Sequence, residues 1–152
     1  MKVNSYTEKI SVCDKQTDFF EGQYRVPQGI TYNSYLISDE KLAVLDTVDA
    51  SFTDEWLKGL SEALGGNSPD YLIIQHMEPD HSAGLGAFME KYPEATIVAS
   101  EMAFMMMKNF FKADFSDRRL VVKDGDELCL ATFHELIDNS ANAVTVANDS
   151  KF

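Results

Sequence analysis

Residues 71–86 read Tyr-Leu-Ile-Ile-Gln-His-Met-Glu-Pro-Asp-His-Ser-Ala-Gly-Leu-Gly. Residues 71–75 form a short apolar run, the pattern of a strand buried on both faces in a parallel sheet. Four groups able to bind a metal, His76, Glu78, Asp80 and His81, follow within six residues. A helix is then expected at 83–92, because Leu85, Phe88, Met89 and Tyr92 recur at i, i+3, i+4 and i+7. Strand, ligand-rich loop and helix in that order put a site outside the carboxyl end of a strand, where open α/β sheets bind ligands.

The loop itself restricts the geometry. Side chains alternate along extended backbone, so His76 and Glu78 are expected to point the same way. Pro79 fixes its own φ and biases Glu78 towards an extended conformation. Asp80 and His81 are neighbours and must diverge, so one short loop offers two ligands to each of two nearby ions. Imidazole and carboxylate without thiolate suit iron, manganese or zinc, and do not suggest copper or an iron–sulfur cluster. The carboxylate of Glu78 adds negative charge, which favours iron ions that must reach the ferric state.

Outward from this stretch, helical and extended patterns alternate. Residues 30–37 and 41–46 read as two strands around the turn Ser38-Asp39-Glu40. Residues 51–64 read as a helix, capped by Ser51 or Thr53 and stopped by Gly65-Gly66. Residues 95–99 repeat the buried-strand pattern. Ser100 is expected to cap a helix with the apolar stripe Ala103, Met106, Met107 and Phe110. Residues 119–123 and 127–133 flank Asp124-Gly125-Asp126 and read as a hairpin. The stretch from His134 to Phe152 is sparse in apolar residues and reads as a frayed tail with a short strand at Ala143–Ala147. The sum is an α/β pattern with a mixed sheet.

The 152 residues suit one domain with a real core. Twenty-five acidic against 13 basic residues leave a net charge of −12. That charge argues against nucleic-acid binding and against anionic membrane surfaces. No stretch reaches the roughly 18 apolar residues of a membrane span. No apolar stretch follows Lys2, so a secretory signal is not expected and a cytoplasmic location is. Cys13 and Cys129 are expected to be reduced and buried.

The pattern His-x-Glu-x-Asp-His at 76–81 resembles the metal motif of the flavodiiron proteins (A-type flavoproteins), within the metallo-β-lactamase-like superfamily. Hydrolytic members of that superfamily usually carry His where Glu78 stands. The likeness extends to GITYNSYLI at 29–37, KLAVLDTVD at 41–49, FTDEWL at 52–57 and YPEATIVASEMA at 92–103, and covers about residues 1–130.

The resemblance implies a metallo-β-lactamase-like αββα sandwich, here its N-terminal portion, with a mixed sheet and flanking helices. Residues 1–130 would be a partial diiron domain and 131–152 a divergent tail. It implies two non-haem irons, one held by His76 and Glu78 and the other by Asp80 and His81. Family members reduce dioxygen to water or nitric oxide to nitrous oxide. Their electrons come through FMN in a flavodoxin-like domain, or from a donor such as rubredoxin. A head-to-tail homodimer sets the FMN of one subunit beside the irons of the other.

The family completes its site with a further His for each iron and a bridging Asp. Those segments and the FMN domain are not expected in this chain. Two ligands per ion fall short of about three in iron oxygenase sites, so weak or partial metal binding is expected of the chain alone. The alternatives are a truncated non-catalytic remnant, an iron- or oxygen-binding module and, disfavoured by Glu78, a zinc hydrolase.

Other features read plainly. His134 is expected to be an exposed residue near a strand end, and Asp138 has no claim to a bridging role. Met105-Met106-Met107 reads as core filler on a helix. Asp46 is either a turn residue or a partner that orients a ligand His. Asp124-Gly125-Asp126 is a turn and lacks the spacing of a calcium loop. Gly84 and Gly86 lack the context of a nucleotide loop.

Overall fold

The computed structural model of the protein describes residues 1–20, 22–113 and 115–130, and the backbone of two further strands at 134–138 and 143–147. Strand β1 (Thr7–Asp14) leads through a small ribbon, β2 (Phe19–Phe20) and β3 (Tyr24–Arg25), into β4 (Ile30–Ser38). β4 pairs antiparallel with β1 on one side and with β5 (Leu42–Leu45) on the other. Three more strands, β6 (Tyr71–Ile73), β7 (Thr96–Ala99) and β8 (Arg119–Val121), add in parallel beyond β5. The result is the expected mixed sheet, in the order β1-β4-β5-β6-β7-β8.

Two-residue alternation splits the central strands between two cores. Val44, Leu72 and Ile97 face one side, where they pack with Trp56, Leu60, Phe88 and Met107. These come from the helices α1 (Thr53–Leu64), α3 (Leu85–Lys91) and α4 (Glu101–Phe111). Trp56 stacks on Phe88 with ring centroids 6.0 Å apart. Ala43, Leu45, Ile73 and Val98 face the other side, against Leu128 and Leu130. Leu128 lies on β9 (Glu127–Cys129), which pairs with β10 (His134–Asp138) and then β11 (Ala143–Ala147) in a second sheet. The layers therefore run helix, sheet, sheet, as expected of the first part of an αββα sandwich. Each buried Leu, Ile or Phe in these layers contributes about 1.5–3 kcal/mol.

Several local expectations change. The 119–133 hairpin does not form: β8 joins β7 in the large sheet, and β9 joins β10 in the small one. Asp124-Gly125-Asp126 is still a turn, with the Asp126 amide donating to the Lys123 carbonyl at 3.0 Å. It carries the chain from one sheet to the other because Leu128 and Leu130 find burial on the sheet face. Neither Ser51 nor Thr53 caps α1, whose N-cap is Phe52 with no side-chain bond; the helix continues from a 3-10 turn, Ala50–Phe52, where the Asp49 carboxylate accepts from the Ser51 amide. Gly65 ends α1 in the left-handed conformation, as expected.

The helix expected at 83–92 begins earlier and is divided into a short α2 (Pro79–Ser82) and α3. β1 was not expected. Only Ile10 and Val12 mark its buried face, too few for a period to show. Where sparse apolar residues predict fraying, the backbone of β10 and β11 pairs in register. The side chains of His134 and Asp138 lie outside the described residues.

Neither cysteine forms a disulfide among the described residues, as expected, but both are exposed. Each sits between two inward positions of a strand, Cys13 after the buried Val12 and Cys129 between Leu128 and Leu130, so alternation turns it outward. The methionine run is also not uniform filler. Met107 is wholly buried, whereas Met105 is half exposed.

Gly84 separates α2 from α3 at a close contact of this layer. A Cβ there would lie 3.1 Å from Thr47 Cβ and 3.3 Å from the Trp56 ring, and both residues are fully buried. G84A is expected to lower the unfolding free energy by about 1–3 kcal/mol through overpacking. Urea denaturation followed by circular dichroism measures this, and an unchanged midpoint would contradict the packing described here.

Candidate metal centre

β6 ends at Ile73, and the chain stays extended past the sheet edge, with Ile74 N–H still donating to Val98 O at 3.0 Å. His76 and Glu78 fall on this extended segment. Glu78 has φ −64° and ψ 149°, the conformation Pro79 favours, and Pro79 opens α2 at its first position. The Glu78 carbonyl accepts from the amides of His81 and Ser82, at 2.9 and 3.0 Å, which winds the chain back so that His81 returns towards His76.

The structure brings all four sequence-predicted residues together, in two pairs. His76 Nε2 is 3.0 Å from Glu78 Oε1. His81 Nε2 is 3.6 Å from Asp80 Oδ2. The two imidazole rings stand edge to face with centroids 5.3 Å apart. Glu78 is half exposed, whereas Asp80 is largely covered. The set is two imidazoles and two carboxylates, which in kind fits iron. In number it is partial: among the described residues, no three His, Cys, Asp or Glu side chains converge as one metal-holding group.

Asp46 is a turn residue, and its carboxylate also holds His81. It turns the chain at the end of β5 with φ 54°, a left-handed conformation that Asp tolerates better than most residues. Its carboxylate then bridges two elements. Oδ1 accepts from the Gln75 amide at 2.8 Å, and Oδ2 accepts from His81 Nδ1–H at 3.0 Å. That bond leaves His81 Nε2 as the nitrogen with a free lone pair. It also raises the His81 pKa above that of free imidazole. The Asp46 hydrogen bond is the largest cause, burial opposes it, and the charges of Asp46, Asp80 and Glu78 add to it.

Two residues that sequence reasoning missed complete the frame. Thr47 is fully buried; its N–H and Oγ1–H both donate to the His81 carbonyl, at 2.7 and 2.9 Å, and its Oγ1 accepts from the Gly84 amide. Asn33 lines a polar cavity of about 480 Å³ with Tyr35, Asp46, His76 and His81. Its Oδ1 is buried without a hydrogen-bond partner among the described residues. A polar pair closing a buried strand, as in Leu45-Asp46-Thr47, is the signal that would have found Thr47. For Asn33 the sequence holds no signal. A larger cavity of about 760 Å³ opens on the other side of His76 and Glu78, with Met102, Met106 and Phe110 in its wall.

Residues 28–138 match the family model of the metallo-beta-lactamase superfamily, and the chain belongs to that superfamily. Within it, the relatives are diflavin flavoproteins and flavodiiron proteins. The diflavin flavoprotein A 1 of Synechocystis is 36% identical over 127 residues, which are 84% of this chain and 22% of that protein. The anaerobic nitric oxide reductase flavorubredoxin of Vibrio vulnificus is 41% identical over 86 residues, 57% of this chain and 17% of that protein. Among solved structures, the rubredoxin oxygen:oxidoreductase of Desulfovibrio gigas superposes with a TM-score of 0.83 at 32% identity, over 90% of this chain and 34% of that one. The flavodiiron protein of Giardia intestinalis gives 0.81 at 25% identity, over 89% and 32%. The chain thus spans about a fifth of the length of the curated relatives it matches.

The Asp46–His81 contact has a pH signature in the metal-free protein. A raised folded-state pKa means that the contact stabilises the fold fully below the ordinary imidazole value and ceases to as pH rises through the raised value. D46N is expected to bring the His81 midpoint down towards that of free imidazole and to remove this pH-dependent stability. NMR titration of the imidazole signals reads the shift; an unmoved midpoint would show that Asp46 does not hold the proton.

Proposed function

We propose that His76 with Glu78, and Asp80 with His81, hold two iron ions, and that the chain is the diiron-bearing part of an oxidoreductase acting on dioxygen or nitric oxide. The observation that carries this reading is the pairing of the four donors, His76 with Glu78 at 3.0 Å and His81 with Asp80 at 3.6 Å, with the rings side by side. The likeness to a rubredoxin oxygen:oxidoreductase and to a nitric oxide reductase flavorubredoxin supports the substrate class. The same likeness supports FMN on a flavodoxin-like domain as the electron source, rubredoxin or a similar donor before it, and a head-to-tail homodimer. Residues 1–130 are the diiron-domain part in this reading, and its setting is the cytoplasm.

Each residue has a definite task in it. Iron held here supplies two adjacent one-electron donors for a diatomic molecule. Asp46 keeps the proton on His81 Nδ1, which would leave Nε2 to bind iron. Glu78 supplies negative charge where a hydrolytic relative has an imidazole, which stabilises the ferric state. The apolar wall beside His76 and Glu78 suits the apolar edge of a flavin from a second subunit.

With two protein donors for each ion, binding by this chain is expected to be weak. Iron should be substoichiometric after aerobic purification, and should bind when ferrous iron is titrated in without oxygen. Stoichiometric diiron in the purified chain would refute the weak-binding expectation, and no binding at any concentration would refute the site. D46N is expected to weaken ferrous binding about 10–100-fold, the usual cost of losing a carboxylate that orients a ligand His. E78H is expected to shift preference from iron towards zinc in competition titrations; unchanged selectivity would count against the diiron reading.

A further inference from the structure

The six-stranded sheet ends in β1 on one side and β8 on the other, and the chain treats these edges differently. Beside β1 the first residues fold back along the strand. Lys9 N–H donates to Met1 O at 2.8 Å, the Met1 amino group donates to Lys9 O at 2.9 Å, and Lys2 bridges to Glu8. The Val3 and Asn4 amides both donate to Thr7 O. Outward-facing backbone groups of β1 are thereby taken up, which blunts that edge. β8 has no such cover among the described residues. Arg118 O accepts from Ile97 N–H at 2.8 Å and Val122 N–H donates to Ala99 O at 3.0 Å, so the even-numbered residues bond towards β7. The N–H and C=O of Arg119 and Val121 then face the open edge. All three residues of β8 are exposed, Leu120 by 39% and Val121 by 41%. Unpaired backbone groups flanked by apolar side chains are a template for a further strand.

We propose that this edge pairs with the same edge of a second copy of the chain, β8 antiparallel to β8 about a two-fold axis at Leu120. Two observations select a second copy as the occupant. With Leu120 on the axis, Arg119 stands opposite the partner's Val121, and these are the two residues whose backbone groups face outward. They exchange both N–H···O bonds on each side of the axis, and the two Leu120 side chains meet at its centre. The same register brings the exposed Asp117 of each copy near the exposed Lys123 of the other, so opposite charges meet twice. The other cations of the edge are drawn aside. Arg118 Nη1 donates to Pro93 O at 2.8 Å, and the Arg119 guanidinium lies 5.6 Å from the centre of the Phe104 ring. A two-fold axis uses both β8 edges, and with β1 blunted the assembly closes at two copies. The dimer is weak, because so short a strand buries far less than the roughly 1,200 Å² of a stable interface. The inference rests on neither the iron reading nor the head-to-tail dimer.

Sedimentation equilibrium of the 152-residue chain, from micromolar to millimolar concentration, should show a monomer–dimer equilibrium that stops at the dimer. V121P removes one outward N–H and no bond to β7, so the monomer should stay folded by circular dichroism while association weakens about tenfold or more. D117K and K123D should each weaken association about threefold, and the double variant D117K/K123D should restore it to within about twofold. By NMR hydrogen exchange, protection of the Arg119 and Val121 amides should rise with protein concentration. Should V121P unfold, the charge exchange and the amide protection decide. A chain that stays monomeric throughout overturns the inference. So does a dimer that V121P and the charge variants leave unchanged, a result that would point to the head-to-tail arrangement instead.

Discussion

The geometry of the site depends on the carboxylate of Asp46. One oxygen holds the Gln75 amide and the other holds His81 Nδ1, so a single side chain ties the two ends of the loop that carries His76, Glu78, Asp80 and His81. The backbone around it is bound as closely. The Asp46 amide donates to Ile73 O at 2.9 Å, and the Asp46 carbonyl accepts from the buried hydroxyl of Ser34 at 3.0 Å. A residue with φ 54° is held in a sparsely populated conformation, and these four contacts are what over-determine it. Relaxing Asp46 to ordinary strand geometry would re-aim its carboxylate and free both ends of the loop at once.

Thr47 extends the same constraint into the core. Its contacts to His81 and Gly84 press α2 against the end of β5, and Gly84 fits only because it lacks a side chain facing Thr47 and Trp56. The site is therefore seated directly on the packed layer beneath it. Trp56, Phe88 and Leu85, all fully buried, make that layer. The charge of the chain also has a local side. Asp46, Glu78 and Asp80 crowd one loop whose paired groups are imidazoles, and the raised pKa of His81 records that crowding.

Much of this was legible before any coordinates. The run at 71–75 and the run at 95–99 declare buried parallel strands, and they pair with each other in register. Pro79 declares the conformation of Glu78, and the helical period of Leu85, Phe88 and Met89 declares the face that packs inward. What failed did so for definite reasons. β1 has two apolar inward residues, too few to show a period. The turn at Asp124-Gly125-Asp126 looks like a hairpin because local turn chemistry does not encode which sheet the next strand joins. The methionine run looks like filler because residue type alone does not separate the buried Met107 from the exposed Met102.

Sequence by itself determined the donor types at 76–81, their spacing and the strand-loop-helix order that carries them, because proline, alternation and helical period act over a few residues. It also determined that Asp46 would end a strand, and left open what its side chain would do. Tertiary structure alone decided that Asp46 meets His81 across 35 positions of chain, that Asn33 shares their cavity, and that Met102 and Met106 stand in the wall beside His76 and Glu78. Those neighbours are set by parallel strand register and helix packing, which bring together residues that no local pattern connects.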